Sequence, residues 1–123
     1  MKETKKKGIG FRFAFNGLKE AVVRERNFRI HLCVAVVVLC ISSYFQLKPI
    51  EWMFILLAIY LVLMAELINS LCERIIDHIK PEYHMNAKII KDMAAGVVLL
   101  TAFLSIIIGL IIFLPKLFHL SLF

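Results

Sequence analysis

Glycine is scarce in this chain. Its five glycines form no Gly-x-x-x-x-Gly-Lys pattern, which excludes a backbone phosphate loop, so any polyphosphate site must be assembled from helix side chains. Cysteine is scarcer still. Cys33, Cys40 and Cys72 show neither two-residue spacing nor a clustered histidine, and are read as small buried hydrophobes, not metal ligands or disulfides. Long linkers, repeats and low-complexity tracts are absent, so residues 1–123 are read as a single domain. No secretory cleavage site follows the first apolar run, which is therefore a retained span. Acids are the minority charge, nine against 15 Lys and Arg, which makes the placement of each acid informative.

What remains is largely apolar: 61% of the residues are hydrophobic and the mean hydropathy is +0.84. That composition fits a polytopic, all-α membrane protein and not a soluble domain of this size. Met93 to Leu114 runs 22 residues without a charge, enough to cross about 30 Å of hydrocarbon at about 1.5 Å per residue. Leu32 to Leu47 is a second uncharged run, extendable to Phe28 if Arg29 snorkels. A third begins near Trp52, an interfacial aromatic. The sequence predicts transmembrane helices over about 28–47, 52–78 and 88–114. Pro49 marks the turn between the first two, and Pro81 the loop between the second and third.

Positive charge orients these spans. Nine Lys and Arg precede span one, one (Lys48) follows it, four lie between spans two and three, and Lys116 follows span three. The positive-inside rule places the N-terminus and second loop in the cytoplasm, with the first loop and C-terminus outside. The net charge of +6 then sits mostly on one membrane face, where anionic lipid and nucleotide phosphates, not nucleic acid, are the partners. Beyond a basic tail at 1–8, residues 9–26 read as an amphipathic surface helix: Phe11, Phe15, Leu18 and Val22 share a face, with Arg12, Asn16, Lys19 and Glu20 off it. In an unbroken helix Glu25 joins the apolar side and points toward a partner; an acid at a helix end near a turn is the other reading.

The second span ends in a string of acids, Ala-Glu-Leu-Ile-Asn-Ser-Leu-Cys-Glu-Arg-Ile-Ile-Asp over residues 65–77. On a helix, Glu66, Asn69, Glu73 and Asp77 fall within an arc of roughly 80°. A carboxylate facing hydrocarbon costs on the order of 2.5–3.5 kcal/mol on insertion scales, so this face looks into a protein interior or at bound cations. Depth separates the acids: Glu66 sits just inside the hydrocarbon boundary, whereas Glu73 and Asp77 emerge at the cytoplasmic interface. The third span opens with Lys91-Asp92, then the small residues Ala94, Ala95 and Gly96, which permit close helix packing. His78, His84 and His119 read as solvated.

Carboxylates near lysine at an interface suit Mg²⁺ and polyphosphate, because Mg²⁺ is held by one or two carboxylates plus phosphate oxygens and water. Phosphoryl transfer adds a need for charge neutralisation and a proton acceptor. The same residues also admit blander readings: Asp77 as an interface marker, Asn69 as interhelical glue, Lys91-Asp92 as a simple ion pair. Chemistry alone leaves an enzyme and a small oligomeric transporter, with Glu66 as a proton-coupled site, both open.

The string Glu66-Leu-Ile-Asn69-Ser70-Leu-Cys-Glu73, followed by Asp77, Glu82-Tyr83-His84 and Lys91-Asp92, closely resembles the bacterial diacylglycerol kinase and undecaprenol kinase family. Glu25 followed by Asn27-Phe28-Arg29 fits the family's N-terminal motif, and the match covers almost the whole chain. The resemblance implies a homotrimer of three-span subunits with an N-terminal surface helix and active sites shared between neighbours. It implies an ATP- and Mg²⁺-dependent lipid kinase, with Glu66 as the catalytic base and Glu25 and Glu73 as the Mg²⁺ carboxylates that hold the ATP phosphates. Lys91 matches a phosphate contact, Asn69 and Asp92 match orienting positions, and Asp77 belongs to the same nucleotide-binding set. Ile30-His31 stands where the enterobacterial enzymes have Gln-Glu, and Ala14 and Asn16 replace their Ser and Lys. The stretch Glu25 to Leu32 looks more like the Gram-positive branch, whose members resemble undecaprenol kinases. Undecaprenol is thus the expected lipid and diacylglycerol the alternative.

Overall fold

A computed structural model describes residues 10–79 and 85–122, with side chains described to Phe118. Pro81, Glu82-Tyr83-His84, the tail at 1–8 and the His119 side chain lie outside the described residues. Four helices follow one another: α1 (Gly10–Arg24), α2 (Arg26–Phe45), α3 (Pro49–Ile79) and α4 (Met85–Leu122). The last three are long and apolar enough to cross a membrane.

One residue separates α1 from α2. Glu25 has extended backbone angles, φ −103° and ψ 106°, so the unbroken helix over 9–26 is corrected to a break at Glu25. Two contacts make the break tolerable. The last turn of a helix leaves carbonyls without intrahelical donors; here Arg29 Nη1 donates to the carbonyls of Val22 (2.9 Å) and Val23 (2.8 Å). The charge also suits the negative end of the α1 dipole. Arg29 thereby splints the α1–α2 joint.

At the other end of α2, Gln46 takes the left-handed conformation (φ 53°, ψ 62°) and its N–H donates to Ser43 O. A side chain there costs about 1 kcal/mol relative to glycine. Gln46→Gly is therefore expected to stabilise the folded protein by about that amount, visible as a higher thermal transition in detergent; an unchanged or lower transition would count against this account of the turn.

Helix α3 starts firmly. Pro49 occupies its first turn, where no amide donor is needed, and Glu51 accepts a hydrogen bond from Lys48 N at 2.9 Å. Glu51 also pairs with Lys116 Nζ at 3.0 Å, tying the start of α3 to the far end of α4. Beneath this pair lies the main apolar cluster, Leu47, Ile55 and Ile112, with Phe45, Trp52 and Phe113 packed around it. The Phe45 and Phe113 rings meet at 5.8 Å. At 31 residues, α3 is about 46 Å long, well beyond the hydrocarbon thickness. It begins at Pro49, earlier than the expected Trp52.

The most extensive packing is between α3 and α4. Helix α4 continues through Pro115, past the expected end at residue 114. One third of the most apolar window of α3 is buried (33%), but only 6% of that of α4. The small-residue stretch makes no close approach within the chain: a Cβ at Gly96 meets nothing within 4 Å. Cys33 and Cys40 are exposed and Cys72 half-buried, all free thiols. The expected burial of the cysteines is corrected, because in a membrane helix an apolar residue gains nothing by facing inward instead of toward lipid.

Candidate active site

The acidic face of α3 divides by burial. Glu66, Asn69 and Ser70 are buried, with Glu66 only 4% exposed, while Glu73 and Asp77 are exposed. Helical spacing of three puts Asn69 one turn from Glu66 on the same face of α3, where the amide Nδ2 is a donor suited to a carboxylate, which only accepts. Asn69 Oδ1 is left buried without a partner, as is Ser70 Oγ. Orphaned buried oxygens are costly and mark places where a ligand or water completes the arrangement.

Helix α2 brings His31 to the same point, Nε2 lying 3.8 Å from Glu66 Oε1. That separation is too long for a hydrogen bond but leaves the two groups facing. His31 is also one end of an apolar groove of about 510 Å³ between α2, α3 and α4. Val34, Val38, Ile59 and Val62 line its middle, and Phe113 and Leu117 its far end. A greasy channel thus runs along the helices and stops beside a buried carboxylate.

Of the two carboxylates expected to hold metal, Glu73 is exposed on α3 two turns beyond Glu66, and Glu25 stands at the α1–α2 break. Glu25, half-buried at the α1–α2 break, makes no capping hydrogen bond. It turns to Arg74 of α3, whose Nε and Nη2 both lie 3.0 Å from Glu25 Oε2. Arg74 Nη1 reaches Glu20 Oε2 at 3.5 Å, an oxygen shared with Arg24. Among the described residues no group of three His, Cys, Asp or Glu is placed to hold a metal by itself. Two carboxylates are nonetheless the donor type Mg²⁺ takes, its remaining ligands being phosphate oxygens and waters.

Lys91 and Asp92 do not pair with each other. Lys91 Nζ donates to Asp77 across the α3–α4 interface, and Asp92 accepts from Lys88 one turn away at 2.6 Å. The structure therefore gathers Glu66, Asn69, Glu25 and Glu73 at one end of the bundle, with Asp77 and Lys91 joined at its edge and Asp92 turned along α4.

Two participants were not legible as site residues. His31 read only as a family difference, and Arg74 only as one of four loop cations. The sole signal for Arg74 was its place inside the acid string, next to Glu73.

The sequence profile of the family described as prokaryotic diacylglycerol kinase matches residues 12–113, which span every residue of this site. The chain belongs to the prokaryotic diacylglycerol kinase family. This kinase resembles the undecaprenol kinase of Bacillus subtilis (strain 168), with 44% identity over 107 residues covering 87% of each chain. The diacylglycerol kinase of Synechocystis sp. is 39% identical over 113 residues, 91% of this chain and 65% of that one. The diacylglycerol kinase of Escherichia coli (strain K12) is 26% identical over 95 residues, 77% of this chain and 78% of that one. Family membership and these relatives make it a lipid kinase, with a lipid acceptor and ATP as donor. The site geometry agrees: a buried carboxylate meets an apolar groove on one side and an acidic, cation-suited mouth on the other.

Proposed function

We propose that this lipid kinase phosphorylates the primary hydroxyl of undecaprenol, using Mg²⁺ and ATP at the cytoplasmic face of the membrane. The observation that carries the reading is the apolar groove ending at His31, opposite Glu66. A long unbranched-headgroup lipid can lay its tail along that groove and present its terminal hydroxyl to the carboxylate. The identity with the undecaprenol kinase of Bacillus subtilis supports the polyprenol, as does His31 at a position where the enterobacterial branch has an acid.

In this mechanism Glu66 accepts the hydroxyl proton as the lipid oxygen bonds to the γ-phosphorus; the bond from that phosphorus to the bridging oxygen breaks and ADP leaves. Asn69, one turn along the same face of α3, orients the Glu66 carboxylate. Glu25 and Glu73 hold Mg²⁺, which when bound offsets phosphate charge. Lys91, kept at the rim by Asp77, supplies a phosphate contact. Asp92 orients Lys88 and the first turn of α4.

The assembly that fits is a homotrimer with active sites completed between neighbours. Exposed Val36 and Val37 on α2, and Leu99, Leu100 and Phe103 on α4, supply the interhelical surface, and Ala94-Ala95-Gly96 the close approach. Helix α1 lies in the headgroup layer, its Phe11, Phe15 and Leu18 entering the membrane surface. Transfer of labelled γ-phosphate from ATP to undecaprenol in mixed micelles, stopped by EDTA and restored by Mg²⁺, tests the reading. No labelled lipid with Mg²⁺ present would overturn it.

A further inference from the structure

Resting on the reading of Glu25 as a metal carboxylate, we propose that Arg74 is the positioning residue that presents Glu25 to the metal–nucleotide complex. Three observations carry this. First, Glu25 sits on the one residue between two helices, where neither helix fixes its side chain and no capping bond restrains it. Its carboxylate has a single described side-chain partner, Arg74. Second, the contact is one-sided: Nε and Nη2 both take Oε2, so Oε1 stays free to accept a cation. Third, Arg74 Nη1 also engages Glu20 on α1, so one guanidinium joins α1, the break and α3.

The position of Arg74 explains why a cation is needed there. Glu20, Glu25, Glu66, Glu73 and Asp77 crowd the same end of the chain, and Asp77 already occupies Lys91. A metal–nucleotide complex is still a net anion, and this many acids repel it. Arg74 sits among them and lets the carboxylate meet the metal while its own charge meets the nucleotide. Beneath it lies a crevice of about 150 Å³ between α1 and α3, lined by Gly17, Ala21 and Ser70. The arginine thus acts at the rim of the α1–α3 junction, and α1 becomes part of the nucleotide site through Glu20.

The test is binding of Mn²⁺ with the hydrolysis-resistant ATP analogue AMP-PNP, followed by the paramagnetic signal of the metal on the purified oligomer. Arg74→Gln is expected to weaken binding by about 10–100-fold, the usual effect of losing a group that orients a metal ligand, with the KM for lipid unchanged. Arg74→Lys keeps the charge but not the fork, and falls between the two. Glu20→Gln, which frees one arm of the guanidinium, weakens binding less than Arg74→Gln. Binding by Arg74→Gln as tight as wild type, or tighter, overturns the proposal; the latter would make Arg74 a competitor for Glu25. If Arg74→Gln loses its thermal transition, Arg74→Lys and Glu20→Gln decide, and unchanged affinity in both overturns it. Wild type that phosphorylates lipid but binds independently of Arg74 loses only this proposal. Wild type that binds through Arg74 without phosphorylating lipid loses only the kinase reading.

Discussion

Glu66→Gln is expected to lower kcat by about 10²–10⁴-fold, the range ascribed to a general base, while leaving nucleotide affinity near that of wild type. The amide matches the carboxyl in shape and keeps a partner for Asn69, but it cannot take the lipid's proton. A structural role predicts a different pattern. A carboxylate only 4% exposed is expensive to hold at this depth, so its neutral replacement should leave thermal stability equal or higher. Falling activity with an unchanged or raised thermal transition marks a residue kept for chemistry. Falling activity with a lowered transition would mark a packing residue, and an active variant would remove Glu66 as the base.

The second large effect is expected at the metal carboxylates. Glu25→Gln and Glu73→Gln should each raise the Mg²⁺ concentration needed for half-maximal rate by about 10–100-fold, with partial recovery at high Mg²⁺. The two are not equivalent. Among the described residues Glu73 forms no ion pair, whereas Glu25 is tied to Arg74, so Glu25→Gln also releases Arg74 and α1. Larger loss at Glu25 is therefore expected.

The sequence carried the parts of this protein that obey a period. The three- and four-residue spacing of Glu66, Asn69, Glu73 and Asp77 on an apolar helix placed a polar face, of which Glu66 and Asn69 are buried and Glu73 and Asp77 exposed. The three long apolar helices followed from uninterrupted hydrophobic runs. What it did not carry were features set by distance between chain-remote groups. The break at Glu25 has no proline or glycine to announce it; it is held by Arg29 reaching back to Val22 and Val23. Arg74 reads as a loop cation until its guanidinium is found on Glu25, 49 residues away in sequence. Lys91-Asp92 reads as a pair, yet adjacent residues on a helix point apart, so each found a partner elsewhere. The cysteines were misplaced for a different reason: burial rules from water do not apply where the surroundings are hydrocarbon.

The most direct measurement is transfer of labelled γ-phosphate from Mg²⁺·ATP by the purified oligomer, with undecaprenol and diacylglycerol offered together at equal concentration in mixed micelles. Labelled undecaprenyl phosphate is expected as the main product, formed about 10²–10⁴-fold more slowly by Glu66→Gln. Mainly labelled phosphatidic acid would contradict the polyprenol assignment while keeping the kinase chemistry. No labelled lipid from a folded oligomer would contradict the chemistry assigned to Glu66.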